Sequence, residues 1–236
     1  MKRFYFLYIL TFLLIITVSN GTAETIEEVF QNFKAAYEKS KNFSADFEET
    51  TLQAGNRSIA RGRLMFSQPN LLRKVYVSHR DPTQLAQLIV LDGEYSWSYT
   101  PLLSQVNKKR WGRADRKELL PGLGASLDEA AEKFNMELVP DEVANPKGIY
   151  RIKLVPKPQM PGSAEANTPR EIIEIWVKSD NWLPVQFGYQ TEDDDIGSIS
   201  VIVVLAKIQR DIEMDADLFK FVIPDGVEVI DFSADR

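Results

Sequence analysis

The sequence predicts a mainly β (α+β) protein in which one antiparallel sheet curls towards a barrel. About eleven segments have strand character, and two substantial segments have the spacing of a helix. Turn signals such as Asp92-Gly93 and Asp225-Gly226 separate many of the strands. A parallel sheet needs a long crossover, usually a helix, between successive strands, so this order of segments favours antiparallel pairing.

The amino-terminal segment has the pattern of a secretory signal. Two basic residues precede an uncharged, mostly apolar run from Phe4 to Val18, and small residues follow as far as Ala23. The apolar run is shorter than the roughly 20 residues that cross a bilayer as a helix, so a retained anchor is the less favoured alternative. We therefore expect residues 1–23 to be removed and residues 24–236 to form a single exported domain.

The composition argues against several classes of enzyme and against nucleic-acid binding. The 236 residues include no cysteine, which excludes a thiol nucleophile, and the single histidine, His79, lies in a polar turn. A net charge of -6 is unsuited to binding phosphate backbones. We expect no enzymatic activity, no cofactor, no metal and no nucleic-acid partner. A hydrolase built on carboxylates distant in sequence is the enzymatic alternative.

The first element of the expected mature chain is an amphipathic helix followed by a strand. Residues Thr25 to Glu28 form a capping box, and apolar residues as far as Tyr37 recur at helical spacing. From Phe43 to Phe47 the apolar period changes to two, which is typical of a strand with one buried face.

Further strands are predicted by alternation or by continuous apolar runs. Leu85 to Leu91 is almost continuously apolar, as in a strand covered on both faces, whereas Tyr95 to Thr100 alternates aromatic and polar side chains. The other candidates are a strand around Leu64 and Phe66, Leu71–Val77, Ile149–Val155, Glu171–Lys178, Pro184–Gln190, Ser198–Arg210, Phe219–Ile223 and Val227–Ile230.

A second helical pattern interrupts the strands. Residues Ser126 to Glu129 form another capping box, and Leu127, Ala130, Ala131 and Phe134 lie at i, i+3, i+4 and i+7. A helix inserted at this point can cover the open mouth of a barrel.

The abundance of large apolar side chains leaves two interpretations of the interior. The chain has 13 Phe, 8 Tyr and 4 Trp, which suit either a packed core or a cavity for an apolar ligand. Exposing an acyl chain of about 14 methylenes to water costs roughly 11 kcal/mol, at about 0.8 kcal/mol per CH₂. A multiply acylated molecule therefore needs a carrier or another shielded route across an aqueous space.

Several segments occur in a specific order along the chain. They are Phe43-Ser44-Ala45-Asp46-Phe47, Gly62-Arg63-Leu64-Met65-Phe66 before Pro69-Asn70, Leu88 to Gly93, Trp97 to Pro101 with Gln105, and Phe219 to Val227. With the opening helix they cover nearly all of the expected mature chain, which thereby resembles the LolA family of periplasmic lipoprotein carriers.

The resemblance implies an incomplete antiparallel β-barrel, a half-barrel, with a helical lid. It also implies a periplasmic monomer whose partners are acylated lipoproteins, an inner-membrane ABC transporter that releases them and an outer-membrane receptor. A lipid- or lipoprotein-sensing interaction module on the same fold is the alternative function. The cargo could be lipoprotein, phospholipid or glycolipid.

The resemblance and the strand alternation together identify candidate site residues. We expect the concave face to be lined by Phe47, Leu64, Phe66, Leu72, Leu91, Trp97 and Tyr99, and the lid to be supplied by Leu119, Leu120 and Leu123. Ordinary core packing is the alternative for each of them.

One position departs from the family pattern. Family members often carry arginine immediately before the Pro-Asn pair, where it helps to hold the lid closed, but this chain has Gln68 there. Arg73 is the candidate substitute in lid control.

A basic cluster lies beside the proposed lid. It consists of Lys108, Lys109, Arg110, Arg113, Arg116 and Lys117. It could meet lipid headgroups or an acidic partner, and a solvated helix end is the alternative.

Overall fold

The computed structural model describes residues 24–111, 127, 129–158, 171–193 and 197–233. The predicted signal segment, the lid residues Leu119, Leu120 and Leu123, and the basic residues Arg113, Arg116 and Lys117 lie outside the described residues.

Twelve strands in the described part of the chain form one sheet. They are β1 (Asn42–Gln53), β2 (Asn56–Ser67), β3 (Leu71–Val77), β4 (Leu85–Leu91), β5 (Tyr95–Thr100), β6 (Gln105–Arg110), β7 (Phe134–Val139), β8 (Ile149–Pro156), β9 (Glu171–Lys178), β10 (Leu183–Asp193), β11 (Gly197–Arg210) and β12 (Glu228–Asp231). The spatial order is β12-β6-β5-β4-β3-β2-β1-β11-β10-β9-β8-β7. Neighbours pair antiparallel, except that β12 and β6 are parallel. Within the described residues the two outermost strands, β12 and β7, do not pair with each other, so the sheet is open, which confirms the predicted mainly β half-barrel.

Helix α1 (Ile26–Lys39) covers part of the concave face of this sheet. Its capping box is present: the Glu28 N–H donates to Thr25 Oγ1 (3.2 Å), and the Thr25 N–H donates to Glu28 Oε2 (2.9 Å). The buried ring of Tyr37 stacks on Phe66, with centroids 5.9 Å apart, and contacts Phe43 edge-on. The predicted amphipathic helix therefore supplies core side chains to the concave side.

The second helix is much shorter than the predicted one. Helix α2 (Ala130–Lys133) has four residues, and Phe134 already pairs with Pro156 as the first residue of β7. Leu127 and Ala130 are buried as predicted, but Ala131 is exposed. The predicted helical spacing does not continue to Phe134, because pairing with β8 begins at this residue, directly after the helix ends.

The predicted strand Phe219–Ile223 is wrong. Ala216–Phe219 forms a 3-10 helix, and the residues after it up to Pro224 belong to no described strand. This segment is held by side-chain packing instead of a backbone ladder, since the Phe221 ring stacks on Trp97. β6 and β7 are strands that the alternation did not predict.

A glycine allows two aromatic side chains to meet across strand β2. Gly62 lies between Phe47 on β1 and Tyr76 on β3 in the strand register. The two rings meet edge-on, with centroids 5.1 Å apart and planes at 81°. A Cβ at Gly62 would lie 1.8 Å from the Val75 carbonyl oxygen and 2.9 Å from Phe47 Cε1. Any larger residue must therefore displace both the neighbouring strand and the Phe47 ring.

We expect Gly62→Ala to lower the free energy of unfolding by about 1–3 kcal/mol, because the added methyl group overpacks this crossing. Urea denaturation measures the change. Gly55→Asn is the control, since Gly55 has a φ of +78° and a Cβ added there would have no other atom within 4 Å. Its stability should change by no more than about 0.5 kcal/mol. Native stability of Gly62→Ala would contradict the packing described here.

Candidate functional site

The concave face contains a cavity of about 210 Å³ between strands β3 and β4 on one side and β10 and β11 on the other. Its apolar lining consists of Leu72, Ile89, Leu91, Trp111, Phe187 and Val203. The volume lies below the range of about 300–1,000 Å³ that is usual for small-molecule pockets. A long acyl chain therefore requires the cavity to widen.

Five of the seven predicted lining residues lie on this concave face. Leu72 and Leu91 line the cavity itself. Phe47, Leu64 and Phe66 are buried in the adjoining core, which also contains the buried face of α1. Their contribution to ligand binding stays a prediction, because the same burial serves the fold.

The predicted placement of Trp97 and Tyr99 on the concave face is wrong. In the β4–β5 register, Leu91 lies opposite Ser96, whereas Trp97 lies opposite Val90. Because neighbours alternate between faces, Trp97 and Tyr99 point to the convex side. Both rings contact Phe221 there, with centroids 5.4 Å and 6.4 Å away. Alternation identified the aromatic face of β5 correctly but did not indicate which side of the sheet it occupies.

The two residues proposed for lid control contact other parts of the described chain. Gln68 Nε2 donates to the carbonyl oxygen of Tyr37, near the end of α1 (3.3 Å). Arg73 lies opposite Val90 in the register, so it faces the convex side, where its Nη1 donates to the Leu218 carbonyl oxygen (3.1 Å). Arg73 therefore faces away from the cavity, and a role of Gln68 towards the lid stays a prediction.

Three polar side chains form a hydrogen-bonded group within the cavity wall, which we call the Glu49 cluster (Glu49, Lys74 and Tyr76). Lys74 Nζ forms an ion pair with Glu49, and the Tyr76 hydroxyl donates to Glu49 Oε2 (3.1 Å). The Lys74 ammonium also lies 4.7 Å from the centre of the Phe47 ring and 5.0 Å from that of Tyr76.

Burial perturbs the titration of these groups. It lowers the pKa of Lys74, and the adjacent Glu49 carboxylate acts in the opposite direction. Burial and the negative charge of Glu49 raise the pKa of the Tyr76 hydroxyl well above its usual value. Burial, with Glu49 and Glu171 nearby, raises the pKa of Tyr189 to about 12. Both phenols are therefore neutral hydrogen-bond donors at neutral pH.

Sequence reasoning missed the Glu49 cluster, although a signal was present. Glu49 continues the period-two series of Phe43, Ala45 and Phe47, which places a charged residue on the apolar face of β1. Its neighbour Glu48 points the other way and pairs with Arg61 on the convex face, with Nη2 and Oε2 2.8 Å apart. The two neighbouring glutamates therefore occupy opposite faces of β1 and have different partners.

Two of the three described members of the basic cluster, Lys108 and Arg110, pair with acidic side chains. Lys108 Nζ lies 3.1 Å from Asp231 Oδ2, and Arg110 pairs with Glu94. Hydrogen bonds from Ser233, together with Lys108, lower the pKa of Asp231 to about 2. Contact of the cluster with headgroups or an acidic partner stays a prediction.

The described residues contain neither a group of metal ligands nor a helix that could span a membrane. In the ranges that the structure describes, no three His, Asp or Glu residues are grouped to hold a metal ion. No helix within those ranges is both long and apolar enough to cross a membrane.

The chain is similar in sequence to one protein family and to several known proteins. Residues 38–222 match the family model described as outer membrane lipoprotein carrier protein LolA. An outer-membrane lipoprotein carrier protein of Methylococcus capsulatus is 27% identical over 215 residues, which cover 89% of this chain and 92% of that protein. An uncharacterized protein of Methanocaldococcus jannaschii is 22% identical over 208 residues, or 88% of this chain and 54% of that protein. The chain thus spans about half the length of this archaeal relative.

Comparison with solved structures gives a further, weaker match. The crystal structure of an uncharacterized conserved protein from Thermus thermophilus has a TM-score of 0.46 to this chain at 14% sequence identity. The similarity covers 87% of this chain and 98% of that structure.

The convex position of Trp97 predicts a purely structural effect when its partner Phe221 is removed. Phe221→Ala should lower the free energy of unfolding by about 1–3 kcal/mol, because it removes an aromatic stack that is partly buried. Thermal unfolding measures the change. Val222→Ala is the matched control, since Val222 is 81% exposed. Equal stability of the two variants would contradict the proposed packing of this segment.

Because Glu171 is partly buried, replacing it with the neutral glutamine should stabilise the folded protein by an amount that depends on pH. Burial raises the pKa of Glu171 above its ordinary value of 4.5, so the folded protein favours the protonated carboxyl. At a pH below the pKa of Glu171 in the unfolded chain, this carboxyl is protonated in both the folded and the unfolded state. At a pH above its pKa in the folded protein, the folded state carries the whole free-energy cost of the buried charge. Glu171→Gln should therefore raise the melting temperature at pH 7 and not at about pH 3. A gain of equal size at both pH values would contradict this explanation.

Proposed function

The chain belongs to the LolA family, and we propose that it is a periplasmic carrier that binds the acyl chains of lipoproteins in the concave cavity. In this proposal it takes lipoproteins from an inner-membrane ABC transporter and delivers them to an outer-membrane receptor. Residues 1–23 serve as its export signal. The family is one of carriers and not of enzymes, which confirms the prediction of a chain without enzymatic activity.

The observation that carries the proposal is an apolar cavity on the concave side of an open sheet. Leu72 and Leu91 approach it from the adjacent strands β3 and β4, and Phe187 approaches it from β10, which is distant from both in the sheet order. Each methylene moved into such a cavity gains about 0.8 kcal/mol relative to water. An open sheet can enclose hydrocarbon without closing a barrel, so its cover can admit and release the chain.

The small volume of the cavity supports a binding step coupled to opening. The concave face is filled on one side by α1, whose Phe33 and Tyr37 are fully buried. Cargo gains space if the covering segments separate from the sheet, and they return when the cargo leaves. In this proposal Leu119, Leu120 and Leu123 form the movable cover.

A cavity-filling variant tests the proposal. Ser96 lies on the cavity wall, so Ser96→Trp should fill the space that an acyl chain needs without deleting a core side chain. The expected result is a loss of about tenfold in the affinity for a dipalmitoylated lipopeptide, measured by displacement of a fluorescent fatty-acid analogue. Ser200→Trp is the matched control, because the register places Ser200 with Leu52 on the convex side.

The same variants are then tested in a transfer reaction. Inner-membrane vesicles that contain an acylated lipoprotein are incubated with the carrier, and the lipoprotein released into the soluble fraction is quantified. Ser96→Trp should release much less lipoprotein than Ser200→Trp. Equal release by two folded variants would contradict the carrier function, whereas lipopeptide binding without any release by the native chain would favour the lipoprotein-sensing module.

A further inference from the structure

A buried ion pair in a cavity for hydrocarbon has no evident role in stabilising the fold. The side chains of Lys74 and Glu49 are 13% and 17% exposed, and both belong to the cavity wall. Replacing a buried ion pair with apolar side chains of similar volume is often neutral or even stabilising. An exclusively apolar wall would also serve alkyl chains better. The pair therefore points to a polar group in the ligand.

The cluster presents hydrogen-bond donors to the cavity. A lysine ammonium has three N–H groups, and the one hydrogen-bond acceptor of Lys74 among the described residues is Glu49. The flanking rings of Phe47 and Tyr76 restrict the position of the ammonium. Tyr76 in turn donates to Glu49, so the carboxylate is held from two sides. Lys74 thus keeps donor capacity at a fixed place in the wall.

The charge of the cluster defines the kind of acceptor that fits. Glu49 already balances the charge of Lys74, and a second carboxylate, Glu171, contributes to the electrostatic environment of the adjacent Tyr189. A ligand carboxylate or phosphate would enter a site that already contains negative charge. A neutral carbonyl oxygen accepts a hydrogen bond from the ammonium without that repulsion.

From this geometry we infer that the Glu49 cluster binds an ester carbonyl oxygen at the acylated end of the cargo, with the Lys74 ammonium as donor. The inference rests on the proposed function, which it deepens by assigning the ligand class and its orientation. The glyceryl esters lie at the cluster between β1 and β3, and the alkyl chains extend along Leu72, Leu91 and Phe187. The site selects diacylglyceryl groups over alkyl chains that lack a neutral carbonyl.

The test compares two lipopeptides that differ in the ester carbonyls alone. One carries a dipalmitoylglyceryl group on its amino-terminal cysteine, and in the other both ester linkages are replaced by ethers. Each competes with a fluorescent fatty-acid analogue for the native full-length mature chain. The diester should bind about tenfold more tightly, which corresponds to one hydrogen bond to a charged donor. Palmitate, which has one such tail and a carboxylate in place of the esters, should bind more weakly than the diester.

A double variant identifies the groups responsible. Glu49→Leu with Lys74→Met removes both charges together, so neither is left buried without its partner. This variant should bind the diester and the diether equally. The matched control, Glu48→Leu with Arg61→Met, removes the convex ion pair between β1 and β2 and should keep the tenfold preference. Circular dichroism and thermal unfolding establish that each variant is folded.

The outcomes separate the inference from the proposed function. Equal binding of the diester and the diether by the native chain overturns the inference and leaves the carrier function standing. Binding of neither lipopeptide by the native chain overturns both. A folded Glu49→Leu, Lys74→Met variant that keeps the preference, or tighter binding of palmitate than of the diester, also overturns the assignment. The comparison on the native chain is decisive even if the double variant fails to fold.

Discussion

A curved sheet that closes on neither edge has to cover its concave face with something other than water. Here the covering groups include the rings of α1, and Leu127 and Ala130 also belong to the concave core. The convex side is covered differently, since the carboxy-terminal segment packs Phe221 against Trp97. The sheet thus has two separate apolar layers. The concave layer also contains the cavity, which makes it the layer that can exchange protein contacts for contacts with a ligand.

The cavity combines a hydrocarbon surface with one polar position, and the two have different physical consequences. Apolar lining supplies affinity in proportion to the area removed from water, but it does not distinguish one alkyl chain from another. The Lys74 ammonium, which is held by Glu49, Phe47 and Tyr76, adds little affinity for alkyl chains. It discriminates instead between the ester and ether linkages that attach these chains to the ligand. A carrier of varied lipoproteins needs both an unselective apolar lining and a selective polar position, because the acylated end is the part that its cargoes share.

Local chemistry explains which parts of the molecule could be predicted from the sequence. The capping box of α1 and the alternation of β3 and β9 depend on residues a few positions apart, and their predicted ranges agree closely with the structure. The face occupied by Trp97 depends on the pairing of β5 with β4, which no local pattern contains. The same limit concealed the Glu49 cluster, because Lys74 and Tyr76 lie 25 and 27 residues after Glu49, on a strand separated from β1 by β2. Phe219–Ile223 has strand composition but packs through its side chains, so composition misassigned it.

The central claim is that acyl chains enter the concave cavity, and quenching of single tryptophans by brominated acyl chains tests it most directly. Trp111 lines the cavity, whereas Trp97 stacks on Phe221 on the opposite face. Two variants would each keep one of these tryptophans and carry phenylalanine at the other three tryptophan positions. A lipopeptide with brominated palmitoyl chains should quench the fluorescence of Trp111 strongly and that of Trp97 hardly at all. Equal quenching of both, or stronger quenching of Trp97, would contradict the account.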